Sequence, residues 1–488
     1  MKYKVGISNP KDHFILLEAK IKTQNNANIE LQLPAWRPGR YELANYAKNV
    51  RCFVVTNTDG KELPFQKTSK DRWLVRTENQ EEIVVHYEYY ANQADAGASY
   101  VSEELMYLNP VNCFMYVVGR EMESFEVSLN IPDDWQIACQ LPHMHKTIHA
   151  KNFDELADSP FFASPTMQHH SFVWQNATIH FWFQGAAWPQ MERLEKDTRL
   201  YIDAQVKIFG ELPLKDYHFL YLLLPNTFRH GVEHADSTVI AMGPASLAIE
   251  EDFYNDFLAI SSHELFHLWN IKRLRPKEML PYDFTKENYS QLGYIYEGIT
   301  TYYGDLMLLR AGVWSFEQYA SSLASDLDRH YNNSGRNNYS VAASSFDTWL
   351  DGYTPGVKGR KVSIYIEGLI AALVADVTLL EHSSGLLRLD QVMRKMYQSS
   401  YLVGHGYDEA LYKGVLQGMT AWKVDNYFND LIHGKGKWDE YLLPVLEKLG
   451  LDLIQTTDDE GIVRSKIVKL AQGTPTQSRL FDIWAKCH

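Results

Sequence analysis

The sequence predicts an α+β multidomain protein: an N-terminal antiparallel β domain, a mixed middle, and a mostly helical C-terminal part. Three observations predict it. Apolar residues alternate with period two through the first third, strand-like and helical stretches mix after residue 166, and helical periodicity dominates from Phe253 onward. A chain of 488 residues is also too long for one ordinary core. The expected division is residues 1–165, 166–360 and 361–488.

In the first segment, "FEVSLNIP" sets Phe125, Val127, Leu129 and Ile131 on one face. "NIELQLP" does the same with Ile29, Leu31 and Leu33, and "VHYEYY" with Val85, Tyr87 and Tyr89. Turn signals such as "RPGR" and "TDGK" separate these strands. In the middle, "TIHFWFQG" and "YHFLYLLLP" read as buried strands flanking the amphipathic helix "MERLEKDTRLYIDAQVKIF". "EEDFYNDFLAISSHELFHLWN" reads as a helix with acids in its first turn, and "YSQLGYIYEGITTYYGDLMLLR" as another. Residues 331–360, polar and rich in Asn, Gly and Ser, read as a long loop, and more helices fill 361 to about 450.

Composition excludes several classes. A net charge of −14 repels phosphate backbones, so nucleic acid is not an expected partner. The basic run Lys272, Arg273, Arg275, Lys277 reads as local structure. Cys52, Cys113, Cys139 and Cys487 are scattered without CxxC spacing, which suits neither a disulfide framework nor a cysteine zinc site. The N-terminal residues lack a signal peptide's apolar core. "IYIEGLIAALVADVTLL" carries Glu367 and Asp376 and is short for a bilayer, so no membrane partner is expected. A cytoplasmic setting follows as the expectation.

The chemistry concentrates in "ISSHELFHLWNIKRLRP". Positions i and i+4 share a helix face, so His263 and His267 can offer two ring nitrogens to one ion. Glu264 points aside, placed to act as a general base on a water. With 18 His in the chain, chance yields about 0.04 such matches. A catalytic zinc needs a third protein ligand, and Glu297 in "YIYEGITTYY" is the candidate, a carboxylate among apolar and aromatic neighbours. A salt bridge from Glu297 to Arg273 or Arg275 is the plainer alternative. Thr301, one turn on, is a candidate supporting hydrogen-bond group. The histidines of "PHMHKTIH" and "QHH" read as solvent-exposed, and no G-x-S-x-G elbow or phosphate loop is present.

"HELFHLWNIKRLRP" followed by "YEGITTYYGDL" resembles the glycyl aminopeptidase family of zinc peptidases, in the gluzincin group with thermolysin. "LPAWRPGRYELANYAKNV", "RHGVEHADST", "SSFDTWL" and "VSIYIEGLIAALVAD" extend the likeness over residues 1 to about 453. The resemblance implies that residues 166–360 form a thermolysin-like catalytic domain, completed by 361–488. It further implies that Glu233 binds a substrate's free α-amino group and that Tyr365 donates to the oxyanion. The PDZ module that members commonly carry is not expected within the 35 residues after Leu453, and residues 454–488 are expected to pack as strand or helix against the body.

The expected function is therefore a zinc aminopeptidase with one Zn²⁺ per chain on His263, His267 and Glu297. Glu264 serves as general base, and the substrates are peptides with a free N-terminus. A preference for N-terminal Gly or Ala rests on the resemblance. The alternatives are a zinc endopeptidase acting on unfolded or oligomeric peptides, and a catalytically silent peptide-binding protein.

Overall fold

The structure, a computed structural model, describes residues 1–486; Cys487 lies outside them. The chain forms two compact units that interleave in sequence. The first comprises Met1–Pro189, Leu214–Phe253 and Asp283–Glu287, and the second Gln190–Pro213, Tyr254–Tyr282 and the chain from Asn288 onward.

The period-two segments of the first unit are strands. Phe125–Asn130 buries Phe125, Val127 and Leu129, and Glu82–Tyr90 buries Val85, Tyr87 and Tyr89. A seven-stranded sheet runs in the order His143–Met144, Thr147–Ala150, Phe125–Asn130, Lys2–Ile7, Phe14–Lys22, Glu82–Tyr90, Val50–Asn57. Its register pairs Leu17 with Tyr87 and Ala19 with Val85, so the apolar positions share a face. Among the described residues of 1–165 the pairings are antiparallel with one exception. Lys2–Ile7 runs parallel to Phe125–Asn130, because the first strand slots between its hairpin partner and a strand far along the chain.

A five-stranded mixed sheet follows, in the order Gln168–Trp174, Ala177–Gln184, Asp216–Leu223, Ser237–Gly243, Phe228–Glu233. Asp216–Leu223 is parallel to both neighbours and buried from Tyr217 on, which explains its unbroken apolar run. The "STVIAM" strand, Ser237–Gly243, is an inner strand. Its backbone groups are shared between two neighbours, and Phe228–Glu233 is the edge.

The second unit is helical. Met191–Phe209 buries Leu194, Tyr201, Ile202 and Gln205 along one side. Ile366–His382 is buried over most of its surface, so its apolar run belongs to a core helix. No helix among the described residues is long and apolar enough to cross a membrane. Residues 331–360 differ from the predicted loop. They hold short helices at Ser334–Asn337, Val341–Phe346 and Thr348–Asp351, two of them started by side-chain caps from Asn333 and Ser340. The tail forms a hairpin, Leu451–Thr457 with Val463–Lys469, and a helix, Pro475–Ala485. It packs back on the unit: Asn332 Oδ1 accepts from Val463 N at 2.9 Å, and Trp484 O accepts from Arg310 Nε at 2.8 Å.

Candidate metal centre

The Glu251–Phe266 helix carries His263 and Glu264, and His267 follows at its last turn, with its N–H on the His263 carbonyl at 3.3 Å. Both Nε2 atoms converge at 3.1 Å. Glu297 Oε2 lies 3.4 Å from His267 Nε2 and 3.9 Å from His263 Nε2. Tetrahedral zinc with bonds of ~2.0–2.1 Å sets neighbouring ligand atoms roughly 3.3 Å apart, so this donor set fits the ion. His267 and Glu297 are buried, whereas the His263 side chain keeps 20% exposure. Glu264 is buried beside them.

Glu297 sits in a π-helical turn, Tyr294–Ile299, that runs into the helix Thr300–Arg310. The extra residue of such a turn re-aims one side chain, a common device at functional sites. Two glycines let the neighbouring backbones close in. A Cβ on Gly298 would lie 2.3 Å from Gly368 Cα, and one on Gly304 would lie 3.2 Å from His263 Cα. Ser262 Oγ donates to Gly304 O at 2.6 Å and Gln205 Nε2 to Ser262 O at 2.8 Å, which ties three helices together behind the histidines.

The imidazole of His267 is oriented from behind. Its Nδ1 faces the Asn270 carbonyl at 2.9 Å, so that nitrogen carries the proton and Nε2 offers its lone pair. Asn270 Nδ2 in turn donates to Ile295 O at 2.8 Å and Thr300 Oγ1 at 3.0 Å, joining the histidine turn to the glutamate turn. The next residue, Ile271, has φ of 107°, a strained value for a β-branched residue, at the point where the chain reverses.

The other predicted residues fall as follows. Half-buried Tyr365 precedes the helix Ile366–His382, and its neighbour Ile364 packs its carbonyl against Gly298, next to Glu297. Glu233, in the first unit, ends the edge strand and is 4% exposed. Thr301 uses its hydroxyl on the Glu297 carbonyl at 2.8 Å, so the group beside His267 is Thr300. Within the basic run, Arg273 donates to Leu268 O and Pro213 O, and Arg275 lies 4.0 Å over the Tyr282 ring.

The family model "Peptidase M61 N-terminal domain" matches residues 2–165, and "M61 glycyl aminopeptidase" matches residues 256–371, which contain both histidines and Glu297. The chain belongs to the M61 glycyl aminopeptidase family. Membership makes it a zinc metallopeptidase. Among solved structures it is similar to an aminopeptidase N family protein from Idiomarina loihiensis, with 25% identity and a TM-score of 0.88 over 98% of this chain and 82% of that one. It also shares its fold with the M1 zinc metallopeptidase from Deinococcus radiodurans, at 12% identity and a TM-score of 0.55 over 89% and 93% of the two chains. A mutant of that enzyme bound to a Tyr-Ser-Ala substrate aligns with 12% identity, a TM-score of 0.54 and the same coverage. No curated protein sequence matches the chain.

For an M61 peptidase the sequence reading missed Asn270 and Thr300. Asn270 had a visible signal, since Asn just past a helix end is a common cap. Thr300 had none, because the π-helical turn decides which of two adjacent threonines faces His267.

Proposed function

We propose that the chain is an aminopeptidase that removes single N-terminal residues, small ones such as Gly or Ala, from peptides. The observation that carries the reading is the convergence of His263 Nε2, His267 Nε2 and Glu297 Oε2 within 3.9 Å, next to a buried Glu264. These three side chains would hold one zinc per chain. When bound, zinc supplies Lewis acidity that polarises the scissile carbonyl and acidifies a water. Glu264 takes the proton from the attacking water as its oxygen bonds to the carbonyl carbon. The same carboxyl then gives that proton to the departing amine as the C–N bond breaks. The Tyr365 hydroxyl donates to the carbonyl oxygen as negative charge develops there. Glu233 pairs with the substrate's α-ammonium, which restricts cleavage to the first peptide bond. The free side of the edge strand Phe228–Glu233 offers backbone groups to an extended peptide. A cytoplasmic setting, with Cys52, Cys113 and Cys139 as thiols, belongs to the same proposal.

The test is zinc analysis of purified protein together with rates on N-terminally free and N-acetylated glycyl and alanyl peptides, for wild type and Glu264→Gln. The expected result is about one zinc in both proteins, cleavage of free peptides alone, and a loss of about 10²–10⁴-fold in the variant. Equal rates on acetylated peptides would replace this reading with endopeptidase action. An unimpaired Glu264→Gln would end the general-base assignment.

A further inference from the structure

Glu233 is held in an unusual way. Its carboxylate is buried, and Oε1 has no hydrogen-bond partner among the described residues. Instead it lies against the backbone of Gly39, in the "RPGR" turn of the N-terminal domain. A Cβ at Gly39 would come 2.5 Å from Oε2 and 3.1 Å from both Oε1 and Cδ. Gly39 also has φ of 76°, in the left-handed region.

Both walls of this contact are fixed. Glu233 ends its strand opposite Thr238, and the turn that follows is pinned from the β domain. Asp158 accepts from His234 Nδ1 at 3.0 Å and Ala235 N at 2.9 Å, and Gln140 Oε1 accepts from Ser237 Oγ at 2.6 Å. On the other side, buried Arg37 anchors the turn. Its guanidinium fills the space that a side chain at Gly97 would take, Nη1 donates to Pro38 O at 3.0 Å, and Nη2 lies 3.4 Å from His230 Nε2 on the strand of Glu233. Turn and strand are thus locked together around the carboxylate.

We propose that Gly39 is a positioning residue that holds the Glu233 carboxylate in one pose for a primary ammonium, so that the N-terminal β domain helps to set recognition of the substrate's first residue. The inference rests on the reading of Glu233 as the amino-group anchor. A carboxylate braced by bare backbone, with one oxygen left for a ligand, binds an ammonium without first losing side-chain freedom. A methyl group at position 39 would push it out of that pose.

Steady-state kinetics on a free alanyl chromogenic amide tests this with Gly39→Ala, Glu233→Gln, the double variant, and Gly60→Ala. Gly60 has φ of 86° and nothing within 4 Å of an added Cβ, so its variant carries the backbone strain without the collision. Glu233→Gln and Gly39→Ala should each raise KM about tenfold or more with kcat changed far less, and Gly60→Ala should behave as wild type. Adding Gly39→Ala to Glu233→Gln should change KM by less than about twofold, since both act on one contact. Where Gly39→Ala does not fold, Glu233→Asp replaces it: the charge stays, the contact with Gly39 is withdrawn, and KM should rise. A normal KM in Gly39→Ala or Glu233→Asp beside a raised one in Glu233→Gln overturns the positioning role alone, as does full additivity in the double variant. A normal KM in Glu233→Gln overturns the anchor reading and this inference with it.

Discussion

Two of the places where the second unit buries charge resolve it in opposite ways. At the metal centre a buried carboxylate, Glu297, converges with two imidazole nitrogens, one of them aimed by a backbone carbonyl to present its lone pair. At the Arg310 cluster the carboxylates face guanidinium groups. Arg310 reaches Asp390 at 2.8 Å and Asp376 at 3.3 Å, Arg388 reaches Asp390 at 2.8 Å, and Tyr302 and Tyr303 donate to the same acids. Two cations meet two anions there, so the cluster neutralises itself. Burial pulls the carboxyl of Asp390 upward, but Arg310 and Arg388 outweigh it and hold it below the usual range. At Asp376 burial wins over Arg310 and the shift is upward. Lone pairs that converge on one point suit a metal ion, whereas cations matched to carboxylates complete one another.

The largest expected effect breaks the Arg310 cluster and spares the candidate metal centre. Arg310→Met leaves two buried acids with Arg388 alone, and a loss of roughly 3–5 kcal/mol in unfolding free energy is expected. Urea unfolding measures it, and zinc per folded chain should stay at the wild-type level. A loss below about 1 kcal/mol would mean that the cluster does not carry the fold.

Gly298→Ala should strike both properties at once. The added methyl meets Gly368 Cα at 2.3 Å, so the helices must part at the residue next to Glu297. Overpacking of this kind costs about 1–3 kcal/mol, and zinc affinity should fall with it. Gly414→Ala is the control: nothing lies within 4 Å of its Cβ, and on the helix Glu409–Met419 it should be neutral or stabilising. Equal zinc affinity in Gly298→Ala and wild type would detach the glycine crossing from the metal centre.

A third solution, in the first unit, is to bury a titratable group uncharged. Burial, and then the imidazoles of His180, His143 and His169, push His218 down to about 3, while Trp182 Nε1 donates to its Nδ1 at 3.2 Å. Above pH 6.5 neither folded nor unfolded chain protonates it. Between 6.5 and about 3 the unfolded chain takes up a proton that the folded one refuses, so stability falls as pH falls, by at most about 1.4 kcal/mol per pH unit. His218→Gln should flatten that share of the decline in unfolding curves at pH 7, 6 and 5. Parallel declines in the two proteins would show that His218 titrates normally.

Local spacing made the cluster of His263 and His267 legible, and long-range pairing hid much of the rest. His263, Glu264 and His267 share one helical turn, so their chemistry is written within five residues. Glu297 is legible as a carboxylate with costly surroundings. The period-two strands of residues 1–165 were equally plain, because each buries one face. Asp376, by contrast, stands in an apolar run that says only that the helix is not a membrane span, and its partner Arg310 lies on another helix with no motif to connect them. The inner place of "STVIAM" was hidden for a similar reason: strand order is a matter of pairing partners, which one strand's composition does not record. The helices within 331–360 were masked by polar composition, although Asn333 and Ser340 are ordinary caps.

The smallest effect distinguishes the two adjacent threonines and sharpens the contrast between an aimed ligand and a self-satisfied cluster. Thr300 Oγ1 accepts from Asn270 Nδ2 and donates to Tyr296 O at 2.8 Å, so it links the turn that orients His267 to the turn that carries Glu297. Thr300→Val keeps the shape and removes the link. Asn270 then keeps only Ile295 O for its side-chain amide, and the carbonyl facing His267 is less firmly aimed. Zinc affinity should drop about tenfold, the lower end of what such supporting groups contribute, as read by competition with a chromophoric chelator. Thr301→Val removes only a bond to its own helix, at Glu297 O, and should leave affinity within about twofold. If the two variants exchange these outcomes, the π-helical turn does not aim the site as its hydrogen bonds imply, and Thr301 recovers the role that its spacing suggested.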